Sequence, residues 1–453
     1  MSFDSTRDLI TKYNRPGPRY TSYPTALQFA PLADPVPLLE ETLHSTSPLS
    51  LYFHLPFCES LCWFCACTTV ITCNRNHADR YLDALEKEMD MTLPYLNLGN
   101  RVANQLHFGG GSPSFLTAAQ LDRLCTAIHE RFPMSDDAEI SAELDPRTLG
   151  EDKVKVLARH GFNRVSFGVQ DVNPAVQKAV HRIQPDELNR QCLEWVRGAG
   201  IPGLNVDLIY GLPKQTVESF RETLETVLSY EPDRLAVFSY AHVPWVAPAQ
   251  KILERATLPE PEVKFAMLLE TIEALTGNGY VYIGMDHFAR EGDELCRALE
   301  NGGLHRNFQG YTTRAGSELC GFGMSSISQS DVAYRQNRKE LEDWHAAIAE
   351  EKLPAHKGYR LTEEDKLRRD VIMNIMCSGK VRYPEFNDTY GIDFEKHFAG
   401  ALGKLEEPAK DGLVVFREDG FDVTKDGRLL LRNIAMPFDE YLQAGPRRHA
   451  KTI

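Results

Sequence analysis

Between residues 51 and 289 short β-rich runs alternate with stretches in which apolar residues return every three or four positions. The runs LYFHLP (51–56), NQLHFGGG (104–111), AEISAELDP (138–146) and RVSFGVQD (164–171) predict strands, followed by LNVDLIYGLP (204–213), RLAVFSYAHVP (234–244) and YVYIGMDHFA (280–289). Between them, ADRYLDALEKEM (78–89), TAAQLDRLCTAIHERF (117–132) and PDELNRQCLEWVRGAG (185–200) each carry one apolar face and predict helices. Thr117 and Gln120 have the spacing of a capping box, and Gly161 and Gly200 stand where helices stop. This alternation predicts an α/β fold with a parallel sheet and right-handed crossovers. Six or seven such units fit a partial or full TIM-like (β/α) barrel better than a small dinucleotide-binding domain. Glu143, Gln170, Asp207, His242 and Asp286 fall near the C-terminal ends of these strands, the rim where barrels build active sites.

The flanks read differently. The Pro-, Thr- and Ser-rich residues 1–47 forbid a long helix and predict an extended arm, which Tyr20, Tyr23 and Phe29 would pack against the body. Residues 48–344 form the predicted catalytic barrel, ending in a Gly-, Ser- and Thr-rich stretch (304–328) that reads as a connecting or lid segment. Residues 345–453 predict a smaller, mostly helical domain with short strand-like pieces, and the basic GPRRHAK (445–451) reads as an exposed tail.

A formal net charge of −14 argues against a broad nucleic-acid surface but leaves room for a local basic pocket. The first residues lack the apolar run of a signal peptide, and no apolar stretch reaches transmembrane length, so the expected location is the cytoplasm. Ten cysteines in such a chain make no disulfide scaffold, yet five crowd between Cys58 and Cys73, which points to metal or redox chemistry.

That crowding resolves into FCESLCWFCAC, a C-x3-C-x2-C set of Cys58, Cys62 and Cys65 with Cys67 two residues on, directly after the first strand. Three thiolates hold three irons of a cubane and leave the fourth open, unlike the four-cysteine clusters of plain electron carriers. Structural zinc is the plainer alternative, but it usually takes a second C-x2-C knuckle, which is missing. Cys125, Cys192, Cys296, Cys320 and Cys377 read as buried free thiols. The loop, Phe64 before its third cysteine and Gly109–Gly110–Gly111 after the second strand together resemble the radical S-adenosylmethionine (radical SAM) superfamily. That resemblance implies a [4Fe–4S] cluster on Cys58, Cys62 and Cys65 whose open iron binds SAM and whose electron releases a 5′-deoxyadenosyl radical.

Longer stretches (RYTSYPTALQF, HFGGGSPSFL, AEISAELDPRTL, NVDLIYGLPKQT, LHRNFQGYTT, GRLLLRNIAMPFD) resemble the oxygen-independent coproporphyrinogen III oxidases over nearly the whole chain. The resemblance implies oxidative decarboxylation of two propionates of coproporphyrinogen III to vinyl groups, giving protoporphyrinogen IX. It implies two SAM molecules, with Tyr52, Gly110, Glu143 and Ile327 around the cluster-bound one. Phe64, Gly111, Ser112, Gln170, Arg182, Asp207 and Ala241 match positions around the second. Tyr52, Cys67 and Glu143 are the expected catalytic residues. Expected partners are the tetrapyrrole, a flavodoxin- or ferredoxin-like reductant and an electron acceptor, with no nucleic acid, no membrane span and a monomeric chain. Arg19, Arg164, Arg182, Arg306 and Arg314 are candidate propionate contacts by location. Ala66, Ser112 and Thr68–Thr69 depart from the family's Gly, Thr and Asn-Lys. A radical SAM methyltransferase and a haem-handling relative remain the alternative functions.

Overall fold

The computed structural model describes residue 9, residues 12–255 and residues 258–443; the GPRRHAK tail lies outside them. Six parallel strands form its centre: β1 (Leu49–Leu55), β2 (Ala103–Gly110), β3 (Met134–Leu144), β4 (Arg164–Gln170), β5 (Gly203–Tyr210) and β6 (Arg234–Ser239), each hydrogen-bonded to the next. Each is followed by a covering helix: α1 (Asn76–Thr92), α2 (Ala118–Arg131), α3 (Glu151–Arg159), α4 (Asp186–Gly198), α5 (Val217–Leu228) and α6 (Pro261–Gly277). The predicted capping box closes α2: Gln120 N–H donates to Thr117 Oγ1 (3.2 Å) and Thr117 N–H to Gln120 Oε1 (3.0 Å). Gly161 and Gly200 take positive φ just past α3 and α4.

Strand periodicity explains how the fold makes a site. Val165, Phe167 and Val169 of β4 are buried toward the helices, while Arg164, Ser166, Gly168 and Gln170 alternate onto the inner face. The same alternation turns Gln105 and His107 of β2, Glu139, Ser141 and Glu143 of β3, and Asn205 and Asp207 of β5 inward. The interior is therefore a polar cavity rather than the layered apolar core of a closed barrel.

The sheet is an open, partial barrel, and two predicted segments differ from expectation. Residues 280–289 are not one strand but a hairpin, β7 (Tyr280–Gly284) and β8 (His287–Arg290), turned at Gly284 and Met285, both at positive φ. Strand β8 joins β6 antiparallel, which ends the parallel run. The 304–328 stretch is not a mere connection: after a hairpin at 305–312, β9 (Glu318–Phe322) pairs parallel with β1. Strands β10 (Ile327–Gln329), β11 (Ala333–Asn337) and β12 (Ala355–Arg360) extend that edge antiparallel. Glycine serves close approach here rather than flexibility, since a Cβ on Gly321 would lie 2.6 Å from the Ile327 carbonyl oxygen.

The arm packs as its aromatic residues predict. Tyr20 and Tyr23 are buried in one core with Val371, Ile372, Phe398 and Phe438 of the C-terminal region, and Tyr20 Oη donates to Asp439 (2.9 Å). That region is mostly helical, led by Glu363–Cys377, with a small antiparallel sheet of residues 380–382, 414–417 and 420–423. No helix among the described residues is long and apolar enough to cross a membrane.

Candidate active site

A cavity of about 440 Å³ runs along the inner face of the parallel strands, from Arg164 and Arg234 at their N-terminal ends to the cysteine loop at their C-terminal ends. It gathers twelve of the predicted residues: Cys58, Cys62, Phe64, Cys65, Cys67, Gly110, Gly111, Ser112, Glu143, Gln170, Arg182 and Asp207. Three predicted residues lie elsewhere. Tyr52 sits under its wall, the ring stacked on His107 (centroids 6.0 Å apart). Ala241, just past β6, lines a second cavity, and Ile327, in β10 between β9 and β11, packs with Phe29, Tyr334 and Leu361.

The cysteine loop is held from both sides. Residues Phe57–Cys58 pair with Val70–Ile71, Trp63 N–H donates to the Val180 carbonyl (3.0 Å), and Trp63 stacks on His181 at 5.1 Å. Gly111 and Ser112 N–H groups donate to the Leu55 (2.9 Å) and Phe57 (3.0 Å) carbonyls, which ties the glycine turn to the loop's start. Ala66 is not among the positive-φ residues, so the Cβ it carries in place of Gly costs no backbone strain.

Asp145 and Arg147, two residues absent from the sequence prediction, complete this wall with the predicted Arg182. Arg147 Nη2 and Arg182 Nη1 both point at Cys62 Sγ, at 3.3 and 3.4 Å, and Asp145 bridges the two guanidiniums at 2.7 and 3.2 Å. Burial raises Asp145, but Arg182 and Arg147 outweigh it and bring its pKa to about 2. The signal lay in the ELDPRT segment, where an acid and a base flank a proline just past Glu143. Burial pushes the Cys58 thiol up to about 12, whereas a hydrogen bond from Cys67 leads in bringing Cys65 down to about 7. Cys67, exposed to the cavity and on the donor side of that bond, is held well above the usual thiol range by the hydrogen bond to Cys65. Cys125, Cys192, Cys296, Cys320 and Cys377 are buried and free, whereas Cys73 is free and exposed.

Among the described residues no three His, Cys, Asp or Glu side chains converge on one metal ion. The three thiols are spread along one cavity wall, with two cations aimed at one sulfur. Soft thiolate donors in that arrangement fit a polynuclear iron–sulfur cluster, where each iron takes its own sulfur.

Opposite the loop, Tyr52 Oη donates to His54 Nδ1 (3.1 Å), and His54 Nε2–H donates to the Thr68 carbonyl (2.9 Å). His107 accepts from Ser141 at Nδ1 (2.7 Å) and donates from Nε2 to Glu143 (3.4 Å). Desolvation within the cavity would raise Glu143, whose side chain is half exposed to the lumen, but His107 and the Gly110 N–H hold it below the ordinary carboxylate range, so it is an anion. Asp207 behaves oppositely: burial, then the charge of Glu143, lifts it to about 7 against hydrogen bonds from Ser166 (2.9 Å) and Asn205 (2.8 Å). The pair offers one fixed anion and one group that titrates near neutrality, suited to an amine and to hydroxyls.

A pH test follows. Asp207 has a raised folded pKa, so its contribution to stability is present below about pH 4 and is lost as pH rises toward 7. The Asp207→Asn protein without SAM should gain on wild type as pH goes from 5 to 8, by about 1–3 kcal/mol at most. Melting temperatures at both pH values check this; an equal difference at each would contradict it.

Of the candidate propionate contacts, Arg164 pairs with Glu139 and Glu294, Arg314 with Asp137, and Arg182 with Asp145. Arg306 is buried over the Tyr311 ring (4.7 Å), and Arg19 pairs with Asp286 on the wall of the second cavity.

A cysteine triad at the strand ends, a glycine turn tied to it and facing carboxylates define a radical SAM enzyme. Residues 52–227 match the Radical SAM superfamily model and residues 361–430 the HemN C-terminal domain. The oxygen-independent coproporphyrinogen III oxidases of Salmonella typhimurium and Escherichia coli are each 47% identical over 440 residues, covering 97% of this chain and 96% of theirs. That of Synechocystis is 44% identical over 443 residues, covering 96% and 95%. The solved coproporphyrinogen III oxidase (HemN) of Escherichia coli, described as a radical SAM enzyme, superposes with a TM-score of 0.90 at 46% identity, covering 93% of this chain and 97% of that one. The chain belongs to the oxygen-independent coproporphyrinogen III oxidase family; its cofactors are a [4Fe–4S] cluster and SAM.

Proposed function

We propose that this chain converts two propionate side chains of coproporphyrinogen III to vinyl groups without oxygen, yielding protoporphyrinogen IX. The observation that carries this reading is the single cavity where the cysteine triad faces Glu143 and Asp207, in a chain aligned with its relatives nearly end to end. The reaction calls for a radical. A propionate β-carbon has no acidic hydrogen, so neither Glu143 nor Asp207 could start it as a base. When bound, the cluster and SAM supply a primary carbon radical able to remove that hydrogen atom.

In this reading Cys58, Cys62 and Cys65 hold the cluster. Glu143, kept ionised by His107, binds the amine of the cluster-bound SAM beside the Gly110 backbone. Tyr52 positions that side by stacking on His107, and Ile327 of β10 is the remaining residue assigned to this SAM. Gln170, Asp207, Arg182, Ser112, Gly111 and Phe64 line the part of the first cavity that would hold a second SAM, whereas Ala241, the other residue expected around it, lines the second cavity. Cys67 keeps a protonated thiol against Cys65. Residues 48–344, with β12 (Ala355–Arg360) added to their sheet, act as the catalytic body, and the 1–47 arm and the rest of the 345–453 region close it. The working context is a monomer in the cytoplasm, with a flavodoxin- or ferredoxin-like reductant and a separate electron acceptor.

Arg147 should tune this centre. Hydrogen bonds and positive charge at a cluster sulfur raise the reduction potential. Arg147→Leu is expected to lower the reconstituted cluster's midpoint by tens of millivolts in an EPR-monitored titration, with Arg182 still in place. An unchanged midpoint would sink this role.

The function itself is tested by product analysis under anaerobic conditions with coproporphyrinogen III, SAM and a strong reductant. Vinyl products with carbon dioxide support it. Methylated tetrapyrrole would favour a methyltransferase, and stoichiometric haem binding without SAM cleavage a haem-handling protein.

A further inference from the structure

Beside the first cavity lies a second, of about 480 Å³, within the size range of sites that enclose a small ligand. Three parts of the chain that are distant in sequence meet in it. Asn14, Pro16 and Arg19 come from the arm, Lys264 from α6, and Leu429, Arg432 and Asn433 from the C-terminal region. Tyr240, Trp245, Leu268, Tyr282 and Met285 supply broad apolar wall.

Its charge is unlike that of the molecule. In a chain of net charge −14, the described residues that line it include the cations Arg19, Lys264 and Arg432 and the carboxylate Asp286. Arg19 pairs with Asp286 and lies over the Phe238 ring (5.7 Å), which lines the first cavity. The two cavities are thus about one side chain apart. Lys264 is fixed in place: its stem crosses Gly211, where a Cβ would lie 2.7 Å from Lys264 Cε, and Nζ donates to the Tyr240 carbonyl (3.0 Å). Arg432 is nearly fully buried and donates to the Gly17 carbonyl of the arm (3.4 Å). Arg306, 3% exposed, adds positive charge near Asp286, and its Nε and Nη1 make no hydrogen bond. Burial, followed by repulsion from Arg19, lowers Arg432 to about 10. His242 at the rim is shared between Tyr240 (2.9 Å) and Glu254 (3.3 Å).

We propose that this second cavity is the carboxylate-recognition site for the tetrapyrrole, with Arg19 and Arg432 binding propionates that the reaction leaves intact. The assignment rests on the function proposed above. Side chains that do not react are the natural handles for binding energy, because contacts to them persist through the reaction. An apolar pocket with a few fixed cations matches a macrocycle bearing carboxylates on its edge. Because Arg19 and Arg432 come from the arm and the C-terminal region, both flanks are then parts of the substrate site rather than packing alone.

The test is a fluorescence titration of anaerobic, cluster-reconstituted protein with coproporphyrin III, a stable tetracarboxylate, and with the dicarboxylate mesoporphyrin IX. Arg19→Ala and Arg432→Ala should each weaken coproporphyrin binding about ten- to a hundredfold and shrink its advantage over mesoporphyrin, with Arg432→Lys milder. Asp286→Asn, which removes the competing anion, should tighten coproporphyrin binding several-fold, a gain that misfolding does not produce. Iron content and melting temperature serve as controls for folding. Unchanged affinities in both arginine variants, or weakened SAM binding with porphyrin binding intact, would overturn the assignment and leave the function standing. Wild-type protein that binds no porphyrin tetracarboxylate would instead count against the function itself.

Discussion

Cys62→Ser protein is expected to leave reconstitution with little iron and to form neither 5′-deoxyadenosine nor vinyl product, a loss of about a thousandfold or more. Removing an outer partner of a metal ligand already costs roughly 10–100-fold, and Cys62 is a direct ligand in this account. It is also the most enclosed of the three, 7% exposed, and the one on which Arg147 and Arg182 converge. A serine hydroxyl is a poor iron donor beside thiolates and would leave both guanidiniums without their sulfur acceptor. Folding should survive, because Asp145 still pairs with both arginines. Iron and sulfide assays, circular dichroism and product analysis on one preparation separate these effects. A full iron load with normal turnover would remove Cys62 from the cluster.

Gly111→Ala is the second large effect, and it works through the backbone. A Cβ there would lie 2.3 Å from the Pro56 carbonyl oxygen and 2.9 Å from that of Phe57. No side chain can rotate away to relieve a contact with main chain. The strand end must shift, taking with it Phe57–Cys58 and the Gly111 and Ser112 hydrogen bonds that start the cysteine loop. The expected cost is at least about 3 kcal/mol, with lost cluster uptake at any temperature where the fold persists. By contrast, Gly99→Ala, with nothing within 4 Å of its added Cβ, should change melting by little. Equal melting temperatures and iron content in the two variants would refute the close-approach role of Gly111.

That contrast shows what the sequence made legible. The cysteine spacing, the glycine run and the strand–helix alternation are local signals, and the structure puts the corresponding residues in one cavity. Period-two alternation on β2 to β5 also held the polar lining in plain view, since Ser166, Gly168 and Gln170 share a face by geometry alone. What stayed hidden depends on long-range partners. Nothing local says that Arg147 turns toward a cysteine 85 positions earlier, or that Glu318–Phe322 completes the sheet beside β1. The Gly- and Ser-rich composition of 304–328 looked like a connection because glycine marks both flexible turns and crowded strands, and only Gly321's neighbours tell which. The hairpin at 280–290 was missed because its turn uses Gly284 and Met285 without the usual Asn-Gly signature. Arg432 fell outside the expected site because its segment reads as a strand-like piece of a separate, mostly helical domain, whereas it lies in a short helix (Leu431–Ala435) and its side chain lines a cavity of the barrel.

The central claim is that a carbon radical generated in the first cavity takes a hydrogen atom from a propionate β-carbon. The direct measurement is a single anaerobic turnover with coproporphyrinogen III deuterated at the propionate β-carbons, following 5′-deoxyadenosine by mass spectrometry alongside the tetrapyrrole. The account predicts deuterium in the 5′-deoxyadenosine, formed together with vinyl product and carbon dioxide. Vinyl product accompanied only by unlabelled 5′-deoxyadenosine would contradict it.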